Sequence, residues 1–311
     1  MHTPRVSYAL PVRNGEDDIA KVLDSLIAQH FQDWEVVISD NESTDATEEI
    51  VRSYAASDAR IRWEPNGENI GQIENFNRAA DLARGEFMRW IGDDDVLEPE
   101  YTGECVAALD AHPEWVAVTT HQDYTDEYGV VTSAVYAGER LDSSDPVRRY
   151  ERLFFFLSAN FRYCDPIYAM IRTDTMRRIG GEPNCYESDQ VFVSGLVLDG
   201  PVGHIDGLLA HRTKWMKCTK TGKQLAKIAN PRKWRRVCWS SWALPGLHML
   251  IRILRSKLSV REQLRCLPAL SRHVWRRARY NVVESLRGAC RALGLGLVKR
   301  WLTRDRVASN G

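Results

Sequence analysis

Three adjacent carboxylates end a hydrophobic segment of this chain. The segment reads FMRWI and is followed by Gly92 and then by Asp93, Asp94 and Asp95. Neighbouring carboxylates raise one another's pKa, and a divalent cation or a cluster of donors usually holds such groups together. An all-oxygen ligand set suits Mg²⁺ or Mn²⁺, often together with substrate phosphates. The same run is also typical of an acidic turn that caps the following helix.

Two further polar loops follow hydrophobic segments in the same way. Residues 11–16 read PVRNGE after VSYAL, and residues 39–45 read SDNESTD after WEVVI. In a parallel sheet, the loops that follow the strands meet at one edge, and open α/β sheets bind ligands there. We therefore expect residues 11–16, 39–45 and 92–95 to lie together in one ligand site.

Strand and helix patterns alternate through the first 120 residues, which predicts a mostly parallel sheet with helices on both faces. Ser43 or Thr44 is the predicted cap of the second helix. After residue 120 the pattern changes to a hairpin, a helix containing three phenylalanines, and further mixed elements. The predicted strands are Val6–Leu10, Trp34–Ile38, Ile61–Trp63, Glu86–Ile91, Trp115–Thr119, Pro166–Arg172 and His204–Leu209, and the main helices are Asp17–Gln29, Gln72–Ala83, Glu98–Asp110, Pro146–Leu157 and Ser188–Leu198.

The charges divide the chain into two parts, although 42 Lys and Arg balance 42 Asp and Glu. From Arg212 onward 25 bases accompany three acids, so the first 211 residues hold 17 bases and 39 acids. Such asymmetry indicates a basic appendage that meets an anionic surface. We therefore predict two domains, a catalytic domain of residues 1–212 and a basic helical region of residues 213–311.

The basic region contains apolar residues at helical spacing, from Leu264 to Val274 and from Val283 to Trp301, with arginines between them. This pattern is typical of a helix in the interface of an anionic membrane. Packing on the acidic catalytic domain or on a second subunit of a homodimer is the alternative. Nucleic acid is disfavoured because no RNA- or DNA-binding motif accompanies the charge.

Composition also bears on the compartment. The seven cysteines are odd in number and contain no CxxC pair, which favours a reducing compartment over a disulfide framework or a zinc site. The chain opens without a signal-peptide pattern, and its apolar stretch Trp242–Leu254 is too short to cross a bilayer. We expect a cytoplasmic protein that is peripheral on the inner face of the cell membrane.

Four motifs together resemble the family 2 glycosyltransferases with a GT-A fold, over roughly residues 5 to 212. They are PVRNGE, WEVVISDNESTD, NIGQIENFNRA with ARGEF, and IGDDDVLEP, and their order and spacing are more specific than any one of them. The resemblance implies an α/β GT-A enzyme that transfers a sugar with inversion. The donor would be a nucleotide-sugar, most simply a UDP-sugar, and the acceptor a glycan or a lipid-linked glycan of a cell envelope pathway.

The resemblance also implies roles for the loop residues. Pro11 and Arg13 would line the nucleotide pocket, and Asp40 would hydrogen-bond the base, although Asp40 also suits a helix cap or turn. A basic residue frequent near Gly71 in the family is missing here. Gln72 and Asn75 are therefore candidates for nucleotide contact, with helix capping as the alternative for both.

Within the acidic run, the family pattern places Asp94 at the metal, with Mn²⁺ or Mg²⁺ as cofactor, and Asp93 beside the ribose. The family often begins this motif with an additional aspartate, and Gly92 stands there instead. Asp95 is the further candidate for a metal ligand or for support of the other two.

A general base on the acceptor hydroxyl would come from a separate element. Asp189 in YESDQVF looks like the base of the family's ED-like motif, and Glu187 is the second candidate. The alternative for Asp189 is a carboxylate favoured by a helix N-terminus. His211 would correspond to a late histidine that touches metal or diphosphate in some members, but it precedes Arg212 rather than following an arginine, and a structural role is its alternative. Phe154 to Leu157 suits an acceptor wall or, more simply, a core helix.

Two other enzyme classes and one non-enzymatic role are alternatives to sugar transfer. A magnesium-dependent phosphatase of the haloacid dehalogenase type would need an Asp where Glu42 stands and a lysine between the WEVVISDNEST and GDDD motifs. No lysine occurs between Lys21 and Lys214. A nicotinamide enzyme would need a GxGxxG motif after the first strand. A catalytically idle, membrane-bound scaffold is the third hypothesis, and the intact carboxylates argue against it.

Overall fold

A mixed β-sheet organises the computed structural model, which describes residues 3–126, 128–133, 135–159, 165–213, 231 and 244–292. Its strands follow the order β3-β2-β1-β4-β8-β6-β9-β5, and β7 pairs with β6 at the side. The strands are β1 Val6–Val12, β2 Trp34–Asp40, β3 Ile61–Pro65, β4 Phe87–Trp90, β5 Val96–Leu97, β6 Ala117–Thr125, β7 Val131–Ser133, β8 Met170–Arg172 and β9 Val202–Thr213.

The first half of the sheet is parallel and the second half is mixed. Strands β1, β2, β3 and β4 run parallel to one another, as the strand and helix alternation predicts. Strand β8 is antiparallel to both of its neighbours, β4 and β6, whereas β6 and β9 are parallel. The prediction of a mostly parallel α/β sheet is therefore confirmed for the half formed by β1 to β4.

Helices cover both faces of the sheet. The described helices are α1 Ile19–Ile27, α2 Thr47–Ser57, α3 Gln72–Asp81, α4 Tyr101–Ala111, α5 Pro146–Ser158, α6 Thr173–Ile179, α7 Ser188–Asp199, α8 Leu244–Arg255 and α9 Val260–Ala292, with a 3₁₀ turn at Pro166–Tyr168. Helices α1, α2 and α4 share one hydrophobic core, and α3, α5, α7, α8 and α9 share the other.

Strand alternation explains the two cores. In β4, Phe87 packs in the core beneath α1 and α4, whereas Met88 and Trp90 point to the opposite core, because successive side chains of a strand face opposite sides of the sheet. Trp90 lies edge-on against Phe192 of α7, with 4.9 Å between ring centroids. This contact fixes α7 on the sheet one turn beyond Asp189.

Several local predictions differ from the structure. Helix α2 begins at Thr47, after Ala46, so neither Ser43 nor Thr44 caps it. The reason is that Ser43 Oγ donates to Asp40 and the Thr44 backbone N–H donates to Asn14, so both residues belong to the preceding loop. Short elements, namely β5 and α6, were not predicted. The phenylalanine helix α5 buries Phe154 and Phe156, in agreement with a core helix.

Helices α8 and α9 pack on helices α5 and α7. Their buried residues Met249, Ile253, Cys266, Ala269 and Leu270 lie in the same core as α5 and α7. The described part of the basic region therefore packs on the acidic half and shares a core with it, as the alternative to a membrane surface predicts. Residues 293–311, with the end of the predicted helix through Trp301, lie outside the described residues. Among those described, no helix has the length and apolar composition needed to cross a bilayer.

Candidate functional site

The three polar loops meet at the carboxyl edge of the parallel strands. Val12 at the end of β1 pairs with Asp40 at the end of β2. On the other side of β1, Ala9 pairs with Trp90, and the Ile91 N–H donates to the Ala9 carbonyl at 3.1 Å. The loop of residues 11–16 therefore lies between the other two loops. The expected convergence is present.

Cross-links hold the first two loops together. The Asn14 side chain accepts from the Thr44 N–H at 2.9 Å, and the Gly15 N–H donates to Thr47 Oγ1 at 2.9 Å. Glu16 accepts from the Ala46 N–H at 2.8 Å. These bonds use polar residues from both motifs, so PVRNGE and SDNESTD form one rigid edge of the site.

Pro11, Arg13 and Asp40 occupy this edge. Pro11 is buried within β1, and Arg13 is exposed, with its Nε donating to the Asn41 carbonyl at 3.1 Å. Asp40 is 4% exposed and accepts from both the N–H and the hydroxyl of Ser43, at 3.0 and 2.6 Å. Asp40 thus makes the turn contacts that were the alternative to base recognition.

Asn75 lies behind the strand ends. Its side-chain oxygen accepts from Ser39 Oγ at 2.7 Å and from Asn66 Nδ2 at 2.9 Å. Its side-chain nitrogen donates to the carbonyls of Ser39, at 2.9 Å, and Val12, at 3.4 Å. With 3% exposure and these partners, Asn75 ties the strand ends together, which favours a structural role over contact with a nucleotide.

Two glycines allow the acidic run to fold against the first loop. A Cβ placed on Gly92 would lie 2.9 Å from Asp94 Oδ1 and 3.3 Å from the Asp95 carboxyl carbon. A Cβ on Gly15 would lie 2.9 Å from Asp93 Oδ2. The glycine at position 92, where the family often has another acid, therefore makes room for the carboxylates that follow it.

Asp93 and Asp94 carry charge that their surroundings do not compensate. Burial, with the nearby Asp95 charge, raises the pKa of Asp93 to about 6. Burial and the charges of Asp95 and Asp93 raise the pKa of Asp94 to about 7, although Arg212 opposes that change. A divalent cation would relieve this repulsion, and oxygen donors suit Mn²⁺ or Mg²⁺. The residues present thus fit the predicted cofactor.

Asp95 forms an ion pair with Arg212 and a hydrogen bond with the backbone of Gly92. It is 1% exposed, and its Oδ1 accepts from Arg212 Nε at 3.1 Å while its Oδ2 accepts from the Gly92 N–H at 3.1 Å. Arg212 also donates to Asp165 Oδ2 at 2.9 Å, and its guanidinium stacks on the Tyr168 ring, 3.6 Å from the centroid. These contacts favour the supporting role for Asp95 over that of a metal ligand.

His211 is held between two carboxylates. Its Nδ1 lies 2.9 Å from Asp123 Oδ1, and its Nε2 lies 2.7 Å from Glu98 Oε1. Burial lowers the pKa of His211, but the hydrogen bonds to Glu98 and Asp123 outweigh that effect and raise it. Because both ring nitrogens are engaged, the geometry favours the structural alternative for His211 over metal ligation.

Asp189 opens α7 on the same side as the acidic run. Burial and the charge of Asp165 raise its pKa to about 6. Asp165 also interacts with the Asp95 charge, so it connects Asp189 with the acidic run. A partly buried carboxylate with a raised pKa is a suitable general base near neutral pH.

Glu187 lies two residues before Asp189 in a left-handed conformation with φ of 55°. It forms an ion pair with Arg277 of α9. This pairing gives Glu187 a contact with the basic region, and it favours Asp189 over Glu187 as the base.

Sequence reasoning missed three charged residues of the site. Arg212 and Asp165 form the buried pairs beside the acidic run, and Glu182 lies near Asp189. Burial raises the pKa of Glu182 to about 7, while Ser188 Oγ donates to its Oε2 at 2.5 Å. A possible signal was the position of Arg212 directly after His211, at the predicted domain boundary.

Comparison with known proteins agrees with this geometry. The family model "Glycosyl transferase family 2" matches residues 7–180. The putative glycosyltransferase EpsE of Bacillus subtilis is 32% identical over 129 residues, which cover 41% of this chain and 46% of EpsE. A GalNAc(5)-diNAcBac-PP-undecaprenol beta-1,3-glucosyltransferase of Campylobacter jejuni is 34% identical over 95 residues, 30% of this chain and 31% of the relative. The matches thus span less than half of either relative's length.

Two solved structures share the fold. S. aureus TarS 1-349 in complex with UDP-GlcNAc superposes with a TM-score of 0.61 at 20% identity, covering 86% of this chain and 72% of TarS. The mannosyltransferase PcManGT of Pyrobaculum calidifontis, in complex with GDP-Man and Mn²⁺, has a TM-score of 0.50 at 17% identity, covering 97% of this chain and 84% of PcManGT. These likenesses confirm the GT-A fold.

Proposed function

The chain belongs to glycosyl transferase family 2, and from this premise we propose that it transfers a sugar from a nucleotide-sugar to a hydroxyl acceptor with inversion. The observation that carries the proposal is the pair Asp93 and Asp94 at the carboxyl edge, whose raised pKa values reflect uncompensated buried charge. Asp189 interacts electrostatically with Asp165, and Asp165 with Asp95 of the same acidic run. A separate cation-binding pair and base are the two functions that such a transfer requires.

The first loops and the acidic run would bind the donor. Pro11 and Arg13 would line the nucleotide pocket. Asp40 would hold its own loop, residues 39–45, beside them. Asp94 would hold Mn²⁺ or Mg²⁺, and Asp93 would meet the ribose. The cation would supply charge stabilisation to the departing diphosphate. UDP is the nucleotide we propose, since the TarS structure of similar fold contains UDP-GlcNAc.

Asp189 would remove the proton from the acceptor hydroxyl. Burial, with the charge of Asp165, raises the pKa of Asp189 to about 6, and Glu182 lies near it as a second buried acid. Arg212 would hold Asp95 and Asp165 in place and so fix the spacing between the two halves of the site. The base role thus depends on groups from three separate elements.

The test of the base uses Asp189→Asn. We expect a loss of transfer of about 10²- to 10⁴-fold, while Mn²⁺-dependent binding of UDP, followed by thermal shift, stays within about twofold. Asp174→Asn, an exposed carboxylate of α6, is the matched control and should retain full activity. Full activity of Asp189→Asn would refute the base assignment.

The thermal-shift measurement also separates the transferase from the idle scaffold. UDP, GDP and dTDP are each added with and without Mn²⁺. Stabilisation that requires the metal supports the transferase, and no response to any nucleotide favours the scaffold. A following screen of sugar nucleotides for donor hydrolysis would identify the sugar.

We further propose that the exposed face of α9 contacts an anionic membrane, where a lipid-linked acceptor would be presented. Val260, Leu264 and Trp275 are 71%, 60% and 73% exposed, and at 3.6 residues per turn they lie on one face of the helix. Arginines flank this face, as in interfacial helices. The Campylobacter relative, named for an undecaprenol-linked substrate, supports such an acceptor.

Vesicle flotation of the full-length protein tests the membrane proposal. Leu264→Ser and Trp275→Ser should reduce binding to phosphatidylglycerol vesicles several-fold, whereas Val131→Ser, an exposed apolar residue of β7, should not. Truncation at Arg212 would be a poor test because it would expose the core beneath α8 and α9. Equal flotation of all four proteins would contradict the proposal.

A further inference from the structure

Two histidines and an aspartate meet where β9 bulges beside β6. His121 of β6 and His204 and Asp206 of β9 each place one ligand atom so that all three atoms lie within 4.8 Å of one another. The pairing of β6 and β9 shifts register on both sides of His121. Bulges commonly re-aim side chains in this way. None of the three residues has a role in the proposed sugar transfer.

A hydroxyl group fixes the tautomer of His204. Thr119 Oγ1 donates to the Gly203 carbonyl at 3.2 Å, so it accepts from His204 Nδ1, which lies 2.8 Å away. With its hydrogen on Nδ1, His204 presents the Nε2 lone pair towards His121. An outer hydrogen bond of this kind is typical of metal-binding imidazoles, since it orients the ring and sets which nitrogen is free.

The distances suit a tetrahedral ion. His121 Nε2 lies 3.2 Å from Asp206 Oδ1, and His121 Nδ1 lies 3.3 Å from His204 Nε2. Ligand atoms at the bond lengths of tetrahedral Zn²⁺ are about 3.3 Å apart. Because these two distances involve opposite nitrogens of His121, binding of one ion through His121 Nε2, His204 Nε2 and an Asp206 oxygen requires the His121 ring to turn, within a cluster whose three ligand atoms already lie within 4.8 Å of one another. A small cavity lined in part by Thr119, Arg140 and His204 adjoins the cluster.

The cluster offers two imidazole nitrogens and one carboxylate oxygen, and groups of these types bind divalent cations in their deprotonated forms. Arg140 forms an ion pair with Asp206 and competes for that carboxylate, so a bound cation has to share it.

We propose that His121, His204 and Asp206 form a binding site for a zinc-like divalent cation. Mixed imidazole and carboxylate ligands favour Zn²⁺, Co²⁺ or Ni²⁺, whereas the all-oxygen acidic run favours Mn²⁺ or Mg²⁺. The site lies just before His211 and Arg212 in β9. A cation there fixes the bulge of the strand that carries Arg212 to Asp95.

The experiment titrates untagged, metal-stripped, full-length protein with Co²⁺ and Zn²⁺ against a chromophoric chelator. We expect wild type to bind one more equivalent than His204→Gln and to bind it at least tenfold more tightly than Asp206→Asn. Thr119→Val removes the outer hydrogen bond to His204, together with the bond to the Gly203 carbonyl, and should weaken binding by about 10- to 100-fold. His112→Gln, a histidine stacked on Trp115, is the matched control and should bind like wild type.

The difference in metal binding between wild type and its variants decides the result, because all of these proteins contain the seven cysteines, which can themselves bind zinc. Bound Co²⁺ should give the absorption of a tetrahedral site without thiolate bands, and that absorption should vanish in His204→Gln. Asp206 is exposed, so Asp206→Asn preserves the core and guards against misfolding. Equal stoichiometry and affinity in wild type, His204→Gln and Asp206→Asn would overturn the proposal.

Discussion

The acidic edge, namely the acidic run and Asp189, differs from the cations of α8 and α9 in how far its charges are compensated by opposite charges. In the edge, Asp93, Asp94 and Asp189 have raised pKa values because burial and mutual repulsion exceed the attraction of nearby cations. The helical cations instead meet carboxylates of the catalytic region. Their pairs are Arg277 with Glu187, Arg272 with Glu151, Arg265 with Asp145 and Lys257 with Asp199.

This difference separates charge that is available for a ligand from charge that holds the fold. A net charge of zero conceals it, because the acids of the site and the acids that face α9 count alike. Repulsion among groups near a cleft is a common property of functional sites. The matched pairs are mostly exposed and contribute little to stability one by one. Three measurements break or sharpen the comparison.

The largest expected effect comes from Arg212, which compensates the buried part of the acidic edge. Arg212→Met leaves Asp95 and Asp165 buried without their cation, and removal of one partner from a buried ion pair costs about 3–5 kcal/mol. We expect that loss in the free energy of unfolding, measured by urea denaturation at pH 8. The loss should shrink as the pH falls, because burial raises the pKa of Asp165 and protonation of that carboxylate relieves its unpaired charge.

Arg272→Met is the matched control from the helical side. Arg272 lies 3.4 Å from Glu151, and both side chains are about half exposed. Such pairs contribute roughly 0–1 kcal/mol. If the two substitutions destabilised the protein equally, the distinction between the two regions would fail.

A smaller effect of opposite sign is expected from Asp94→Asn. The pKa of Asp94 is raised to about 7 in the folded protein, so between about pH 4 and pH 7 the folded state binds more protons than the unfolded chain. The free energy of unfolding therefore falls as pH rises through that range. Without metal, Asp94→Asn should be more stable than wild type by about 1–2 kcal/mol above pH 7, after allowance for partial exposure.

Comparison of the two proteins at each pH removes the contributions of other groups, such as His204 and His273, whose pKa values are lowered. The stability difference should vanish near pH 4, and Mn²⁺ should stabilise wild type but not the variant. Glu104→Gln, an exposed residue of α4, should change stability by less than about 0.5 kcal/mol at any pH. A variant that is less stable than wild type at pH 8 would contradict the prediction.

The sequence predicts the acidic edge well because its signals are local. Each polar loop directly follows an apolar strand, so strand order alone brings Asp40 and Asp94 to one edge. The partners of Asp95 are different, since Arg212 is 117 positions away and reaches it only through β9. Such long-range pairing has no local pattern, and Asp165 and Glu182 escaped notice for the same reason.

Local patterns also mislead where two uses compete for one residue. Ser43 and Thr44 match a helix cap, but in the structure Ser43 donates a hydrogen bond to Asp40 and the Thr44 N–H donates to Asn14, within the preceding loop. The basic helices match a membrane surface and a packing surface equally well. The structure shows the packing use on one face of α9, where Leu270 lies in the core, and leaves Trp275 on another face exposed.

The smallest expected effect concerns the contact between Glu187 and Arg277. Side-chain exposures of 14% and 35% place this pair between the buried and the exposed classes. A double-mutant cycle of Glu187→Gln and Arg277→Met should therefore give a coupling of about 1 kcal/mol in the free energy of unfolding. Transfer by Glu187→Gln should fall by less than about tenfold, whereas loss of a general base costs 10²-fold or more. A loss of transfer in Glu187→Gln as large as that in Asp189→Asn would contradict this assignment. Glu187 would then belong to the catalytic residues with Asp189 rather than to the compensated ion pairs with α9.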